Sequence, residues 1–144
     1  YPWGGTFDDA AAVTYAPDAE QGLHPLRPAV PVELAGETVR DMSVAAGHAF
    51  AVDPAFLSYD TVPVRVRAEV RRLGEESAGF NLKYESTSGI GSRGWNSVPA
   101  EWTTLEWDLD DVRFVGKWGY HLTLDSDSTA NSGYALRSLT VEKR

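Results

Sequence analysis

A two-sheet antiparallel all-β sandwich of about eight to ten short strands, with little helix, is the fold this sequence predicts. Three observations predict it. Apolar and polar residues alternate at period two through most of the C-terminal two thirds, as in Val64-Arg65-Val66-Arg67-Ala68-Glu69-Val70-Arg71, and that alternation sends side chains to opposite faces of a pleated strand. Glycine, proline, serine and aspartate interrupt the pattern at short intervals, which is turn chemistry. No stretch carries the 3.6-residue periodicity of a long amphipathic helix.

Taken in order, Phe7 to Tyr15 forms a short strand, after which Pro17, Pro25, Pro28 and Pro31 exclude a helix or a central strand. This proline-rich part is expected to wrap the sandwich. Val32-Glu33-Leu34 and Thr38-Val39-Arg40 read as a hairpin turning at Gly36, and His48 to Val52 as a strand. Asp53 to Leu57 fits one helical turn, with Asp53 as N-cap and Pro54 at the first position. Val64 to Arg71 and Phe80 to Glu85 follow as strands, with Leu73 to Gly79 as a polar turn of hairpin length. Thr103 to Leu109 turns Leu105, Trp107 and Leu109 inward. Trp118 to Leu124 places Trp118, Tyr120, Leu122 and Leu124 on one side and His121 and Thr123 on the other. Tyr134 to Glu142 breaks period, which predicts a bulge near Arg137 and Ser138.

At 144 residues the chain is expected to be a single domain, with residues 1–47 as the irregular wrapping segment and 48–144 as the main strands. A globule of that size buries roughly 70% of its unfolded surface, enough for a core without staples. The chain begins at Tyr1 rather than Met and reads as a domain excised from a larger protein. Its formal charge of −8 argues against nucleic acid as a partner, because phosphate binding rests on basic patches. No apolar run approaches the ~20 residues of a membrane span, and with no cysteine there is neither a disulfide nor a cysteine zinc site. A monomer is expected.

Gly79-Phe80-Asn81-Leu82-Lys83-Tyr84-Glu85-Ser86, Trp102-Thr103-Thr104, Leu109-Asp110-Asp111-Val112-Arg113-Phe114, Gly119-Tyr120-His121-Leu122-Thr123-Leu124 and Leu136-Arg137-Ser138-Leu139-Thr140-Val141 form one series. The series resembles the jelly-roll carbohydrate-binding modules attached to bacterial glycoside hydrolases and polysaccharide lyases. The resemblance spans roughly the C-terminal two thirds and implies a secreted, non-catalytic module that holds a polysaccharide or oligosaccharide for an attached catalytic domain. Members of such families bind sugar across the concave sheet face or at the loops of one edge, and both sites stay open here.

A pyranose has an apolar C–H face and a rim of hydroxyls, so its site needs an exposed aromatic plate and planar polar groups. Trp95 follows the glycine-rich run Ser88 to Gly94 and reads as ligand plate or loop anchor; Trp102 sits on the parity of Thr104 and Glu106, as plate or sheet-edge cap. Tyr59 is a third plate candidate, whereas Trp107, Trp118 and Tyr120 read as core. Asn81, Lys83 and Glu85 share one strand face, and Arg65, Arg67, His121, Thr123 and Arg137 join them if their strands pair beside it. Arg93 offers a further donor to a hydroxyl. The acidic net charge makes a neutral glycan the expected ligand.

No cofactor is required by this reading. A structural calcium ion, which many jelly-roll modules carry, would need oxygen ligands, for which Asp8, Asp9, Asp125 and Asp127 are candidates, with Asp110 and Asp111 as further donors; each run is also ordinary turn chemistry. Catalysis is not expected. Glu69 and Glu85 would serve as a glycosidase pair only if adjacent strands bring them within roughly 5 to 9.5 Å, and His24, His48 and His121 lack a nucleophile motif. The alternative to glycan binding is a structural or interaction sandwich that packs against a catalytic neighbour, with an exposed Trp95 marking the protein contact.

Overall fold

In a computed structural model, which describes residues 12–16, 22–26, 30–52, 56, 61–114 and 119–144, the chain is a β-sandwich of two antiparallel sheets. Its described strands are β1 Ala12–Tyr15, β2 Leu23–Pro25, β3 Pro31–Leu34, β4 Glu37–Asp41, β5 Gly47–Val52 and β6 Val64–Arg72. They continue as β7 Gly79–Ser86, β8 Gly89–Ser97, β9 Thr103–Leu109, β10 Leu122–Asp125 and β11 Tyr134–Lys143. Sheet I runs β3-β4-β11-β6-β9 and sheet II runs β2-β5-β10-β7-β8. The eleven described strands exceed the expected range by one, because the glycine-rich run before Trp95 is itself β8.

The alternation of β6 places Val64, Val66, Ala68 and Val70 in the core, where they meet Phe80 and Leu82 of β7 and Leu136, Leu139 and Val141 of β11. Phe80 stacks on Tyr134 with centroids 5.3 Å apart and meets Trp107 edge-on at 5.9 Å. The Trp107 indole N–H donates to Asn96 at 3.3 Å, so its burial leaves no orphan donor. The expected bulge occurs where the β11–β6 register shifts between Leu136 and Ser138. β6 fills one edge of β11, and the other edge is shared by β4, at Ala135 and Leu136, and β1, from Leu139 to Glu142.

Three connections differ from expectation. Leu73 to Gly79 is not a hairpin, since β6 lies in sheet I and β7 in sheet II; the hairpin is β7–β8, closed by Thr87 and Ser88. Alternation reports which face of a strand is buried and carries no information about which sheet it joins. The proline-rich segment does not merely wrap the sandwich, because β1 to β4 enter both sheets. Pro25 ends β2 and Pro31 begins β3 at sheet edges, where a missing N–H costs no ladder bond. Gly119 to His121, expected within the strand, lie ahead of it, β10 starting at Leu122. The helical turn at Asp53 to Leu57 lies, apart from Phe56, outside the described residues.

The β3–β4 hairpin pairs Leu34 with Glu37 around Ala35 (φ 52°) and Gly36 (φ 83°). Two positive φ values make a type I′ turn, whose first position favours asparagine and costs alanine roughly 1 kcal/mol. Ala35→Asn is therefore expected to stabilise the domain by up to about 1 kcal/mol, read as a higher urea midpoint at unchanged slope.

Candidate functional site

Sheet parity assigns the candidate residues to faces. On β7, Phe80, Leu82 and Tyr84 point into the core, so Gly79, Asn81, Lys83 and Glu85 line the outer face of sheet II. Register places Trp95 of β8 beside Asn81 and Ser92 beside Lys83. On the other side Thr123 and Asp125 of β10 pair with Lys83 and Asn81. Ala49 and Gly47 of β5 follow next. Those two positions end at or before Cβ, so the face is low there and rises to Trp95 at the β8 edge.

Trp95 lies on a strand and not in a loop. Its indole lies over Gly79, where an added Cβ would stand 2.6 Å from Cζ2 of the ring. A glycine in a strand often marks such a close approach. The residue nevertheless keeps 47% of its surface exposed. Gly91 has the same role on the inner side, with a Cβ there 2.6 Å from Cζ of Tyr84. Within the glycine-rich segment Gly91 is thus a packing requirement of a strand.

The polar groups beside Trp95 are mutually oriented. Asn81 Nδ2 donates to Asp127 Oδ2 at 3.2 Å and to the Asp125 carbonyl at 3.4 Å, which leaves its Oδ1 as an acceptor. Lys83 Nζ donates to Asp125 Oδ2 at 3.0 Å, an interaction that raises the lysine pKa. At Asp125 burial acts upward, but the Asp127 N–H and Lys83 outweigh it and hold the carboxyl below its ordinary value. Thr123 is nearly buried and donates to the His48 carbonyl at 3.1 Å.

The structure does not bring the other candidates into this row as exposed groups. Glu85 shares the parity but is buried, 2% exposed. His121 is stacked on Phe114 at 5.0 Å, and its Nδ1 accepts the Val52 N–H at 2.7 Å. Arg93 sits opposite Leu82 in the β8 bulge and donates to the Asp108 carbonyl at 2.9 Å, tying β8 to β9 of the other sheet. Trp102, Arg65, Arg67 and Arg137 belong to the outer face of sheet I, so the expectation that these arginines flank Asn81 is corrected. There the Arg137 guanidinium stands 4.4 Å from the Trp102 ring centre and covers it. Arg65 pairs with Asp108 at 2.8 Å, Arg67 with Glu142 at 2.9 Å and with Glu106, and Arg137 with Glu69 at 2.8 Å, a ladder that satisfies its own charges. Glu69 and Glu85 consequently face away from each other on different sheets and form no catalytic pair. Tyr120, expected in the core, is half-buried and close enough to Lys83 to influence its charge. Tyr59, Trp118, Asp8 and Asp9 lie outside the described residues.

Among the described residues no three His, Asp or Glu side chains converge as a metal cluster. A cation at Asp125 would meet the Lys83 ammonium there. A depression of about 310 Å³ opens at the loop end, lined by Ser43, Leu73, Glu75, Glu76, Thr129 and Gly133 among others, and contains no aromatic side chain. It offers no plate, which turns attention to the sheet face.

Burial keeps the His121 pKa below its ordinary value, with Glu85 acting weakly the other way. The unfolded chain therefore takes up this proton first, and the contribution of neutral His121 is complete above about pH 6.5 and declines as pH falls toward the lower folded value. His121→Asn, which keeps an acceptor near the Val52 N–H, is expected to show a smaller loss of melting temperature than the parent between about pH 6.5 and 5. Parallel melts of the two proteins across that range measure it.

No protein-family model matches the chain, and no characterised protein matches it by sequence. Similarity emerges at the level of solved structures. The family 29 carbohydrate-binding module of Piromyces equi superposes with a TM-score of 0.55 at 9% identity, covering 92% of each chain. The CBM35 from Cellvibrio japonicus Abf62 gives 0.54 at 17% identity, covering 90% of this chain and 91% of that one. The CBM22-1–GH10 modules of a Clostridium thermocellum endo-1,4-beta-D-xylanase, solved with xylohexaose, give 0.51 at 17% identity; 96% of this chain is covered but only 27% of that one. The fold shared with these structures is the β-sandwich of carbohydrate-binding modules.

Proposed function

We propose that this domain is a non-catalytic carbohydrate-binding module whose outer sheet II face holds a neutral glycan and keeps an attached, secreted enzyme on its polysaccharide. One observation carries the reading: Trp95 rests on Gly79, stays 47% exposed and stands in register beside Asn81. Such a plate can cover the C–H face of a pyranose, while Asn81 Oδ1 accepts from a hydroxyl and the spare N–H donors of Lys83 supply others. The solved structures with this fold that are carbohydrate-binding modules support the reading. Affinity electrophoresis of the domain through a panel of neutral polysaccharides tests it. Retardation by at least one neutral polysaccharide, lost in Trp95→Ala, is expected; migration unaltered across the panel would overturn the assignment.

A further inference from the structure

The charge beside the Trp95 plate is unbalanced, and this bears on the class of sugar the face accepts. Lys83 and Asp125 lie 3.0 Å apart and offset each other. Among the described residues Asp127 forms no ion pair of its own, although its charge also acts on Lys83, so two carboxylates share one ammonium. The Asp127 Oδ2 accepts from the neutral amide of Asn81 at 3.2 Å, and the ion pairs formed among the described residues do not include it. A ring stacked on Trp95 would lie toward Asn81, its partner on β7, and carry its substituents toward Asp127, whose Oδ2 stands 3.2 Å from the Asn81 amide.

We propose that Asp127 sets the charge preference of this face, so that it takes sugars bearing an amine ahead of neutral sugars, and neutral sugars ahead of uronates. The inference rests on the glycan reading above and names the chemistry of its ligand. A protonated amine on the sugar would meet an exposed carboxylate whose neighbouring ammonium, that of Lys83, is already paired with Asp125, whereas a uronate would meet a like charge. At about 4 Å in water a unit-charge contact changes affinity by roughly fivefold, and exposure makes that factor sensitive to salt.

The test titrates the domain, by tryptophan fluorescence and calorimetry, with β-1,4-linked hexamers of glucosamine, glucose and glucuronic acid at about pH 6, where amine and carboxylate are both charged. The three differ in charge and share a ring form and linkage. The expected order is glucosamine, glucose, glucuronic acid, with steps of about fivefold at low salt that narrow as salt rises. Asp127→Asn should compress the series toward one affinity; its φ of 65° suits asparagine, so the fold is kept. Glu33→Gln, the same charge change on exposed β3 of the other sheet, should leave the order intact. An order that survives Asp127→Asn, a uronate bound as well as glucose, or silence toward all three hexamers would overturn the inference. Trp95-dependent retention of a polysaccharide beside a flat hexamer series removes this inference alone, and absence of any such retention removes the glycan reading with it.

Discussion

Trp95→Ala is expected to weaken polysaccharide binding by at least about tenfold, to the point of normal migration in affinity gels, while the melting temperature stays within about 2 °C of the parent. Both halves follow from position. Buried aromatic anchors of binding sites commonly contribute about 2 kcal/mol or more, over tenfold in affinity. Yet Trp95 is 47% exposed on an edge strand and does not belong to the core cluster, so its loss opens no internal cavity. A second variant separates the plate from its orientation. Gly79→Ala puts a Cβ within 2.6 Å of the indole and of the Asn96 carbonyl, so the ring and the β8 backbone must both shift while Trp95 itself remains. Loss of binding in Gly79→Ala at a melting temperature close to the parent's would establish that the seat matters. Unaltered retention in Trp95→Ala would remove the sheet II face from consideration.

The largest effect on stability is expected at Arg40, 1% exposed and the largest fully buried side chain among the described residues. Its guanidinium donates to the Tyr15 hydroxyl at 3.1 Å and meets His48 Nδ1 at 3.3 Å, with the Tyr15 and Phe50 ring centres 5.7 and 5.6 Å away. His48 Nε2 faces two carbonyls, of Met42 at 2.8 Å and Ala45 at 3.1 Å. Carbonyls only accept, so Nε2 carries the hydrogen and Nδ1 is the acceptor that Arg40 satisfies. Arg40 thus joins β4 to β1 and β5, binding the proline-rich part of the chain into both sheets. Arg40→Ala removes a buried stem and its hydrogen bonds to the tyrosine hydroxyl and the imidazole. The combined cost is about 4 kcal/mol, or roughly 8 to 16 °C in melting temperature for a domain of this size. Differential scanning calorimetry of the purified variant measures it, and a shift under about 3 °C would show that the cluster is dispensable.

Arg40 also shows where sequence reasoning reached its limit. In Val39-Arg40 nothing distinguishes a buried arginine from the solvated ones of β6, because its acceptors come from Tyr15 and His48. The position of Trp95 was half legible. Its exposure followed from the glycines around it, but those glycines were read as a loop, when Gly91 is required under Tyr84 and Gly79, sixteen residues upstream, under Trp95 itself. A glycine at an outward position of an alternating strand was the available signal. Asp125 and Asp127 are legible in the sequence as oxygen donors, candidates for calcium or turn residues; their contacts with Lys83 and Asn81 appear only once β10 is laid beside β7.

What the sequence determined by itself is local in origin. Period-two alternation set the inward face of each long strand, since a one-residue slip would turn every apolar side chain to water; broken period placed the bulge at Arg137, and glycine placed the β3–β4 turn. Only the tertiary structure decided which strands share a sheet. It put Trp102 and the arginines of β6 and β11 on one outer face and Trp95, Asn81 and Lys83 on the other. The physical reason is that pairing partners are chosen by packing between strands far apart in the chain, and an alternating strand presents the same pattern of apolar and polar faces to whichever neighbour it meets.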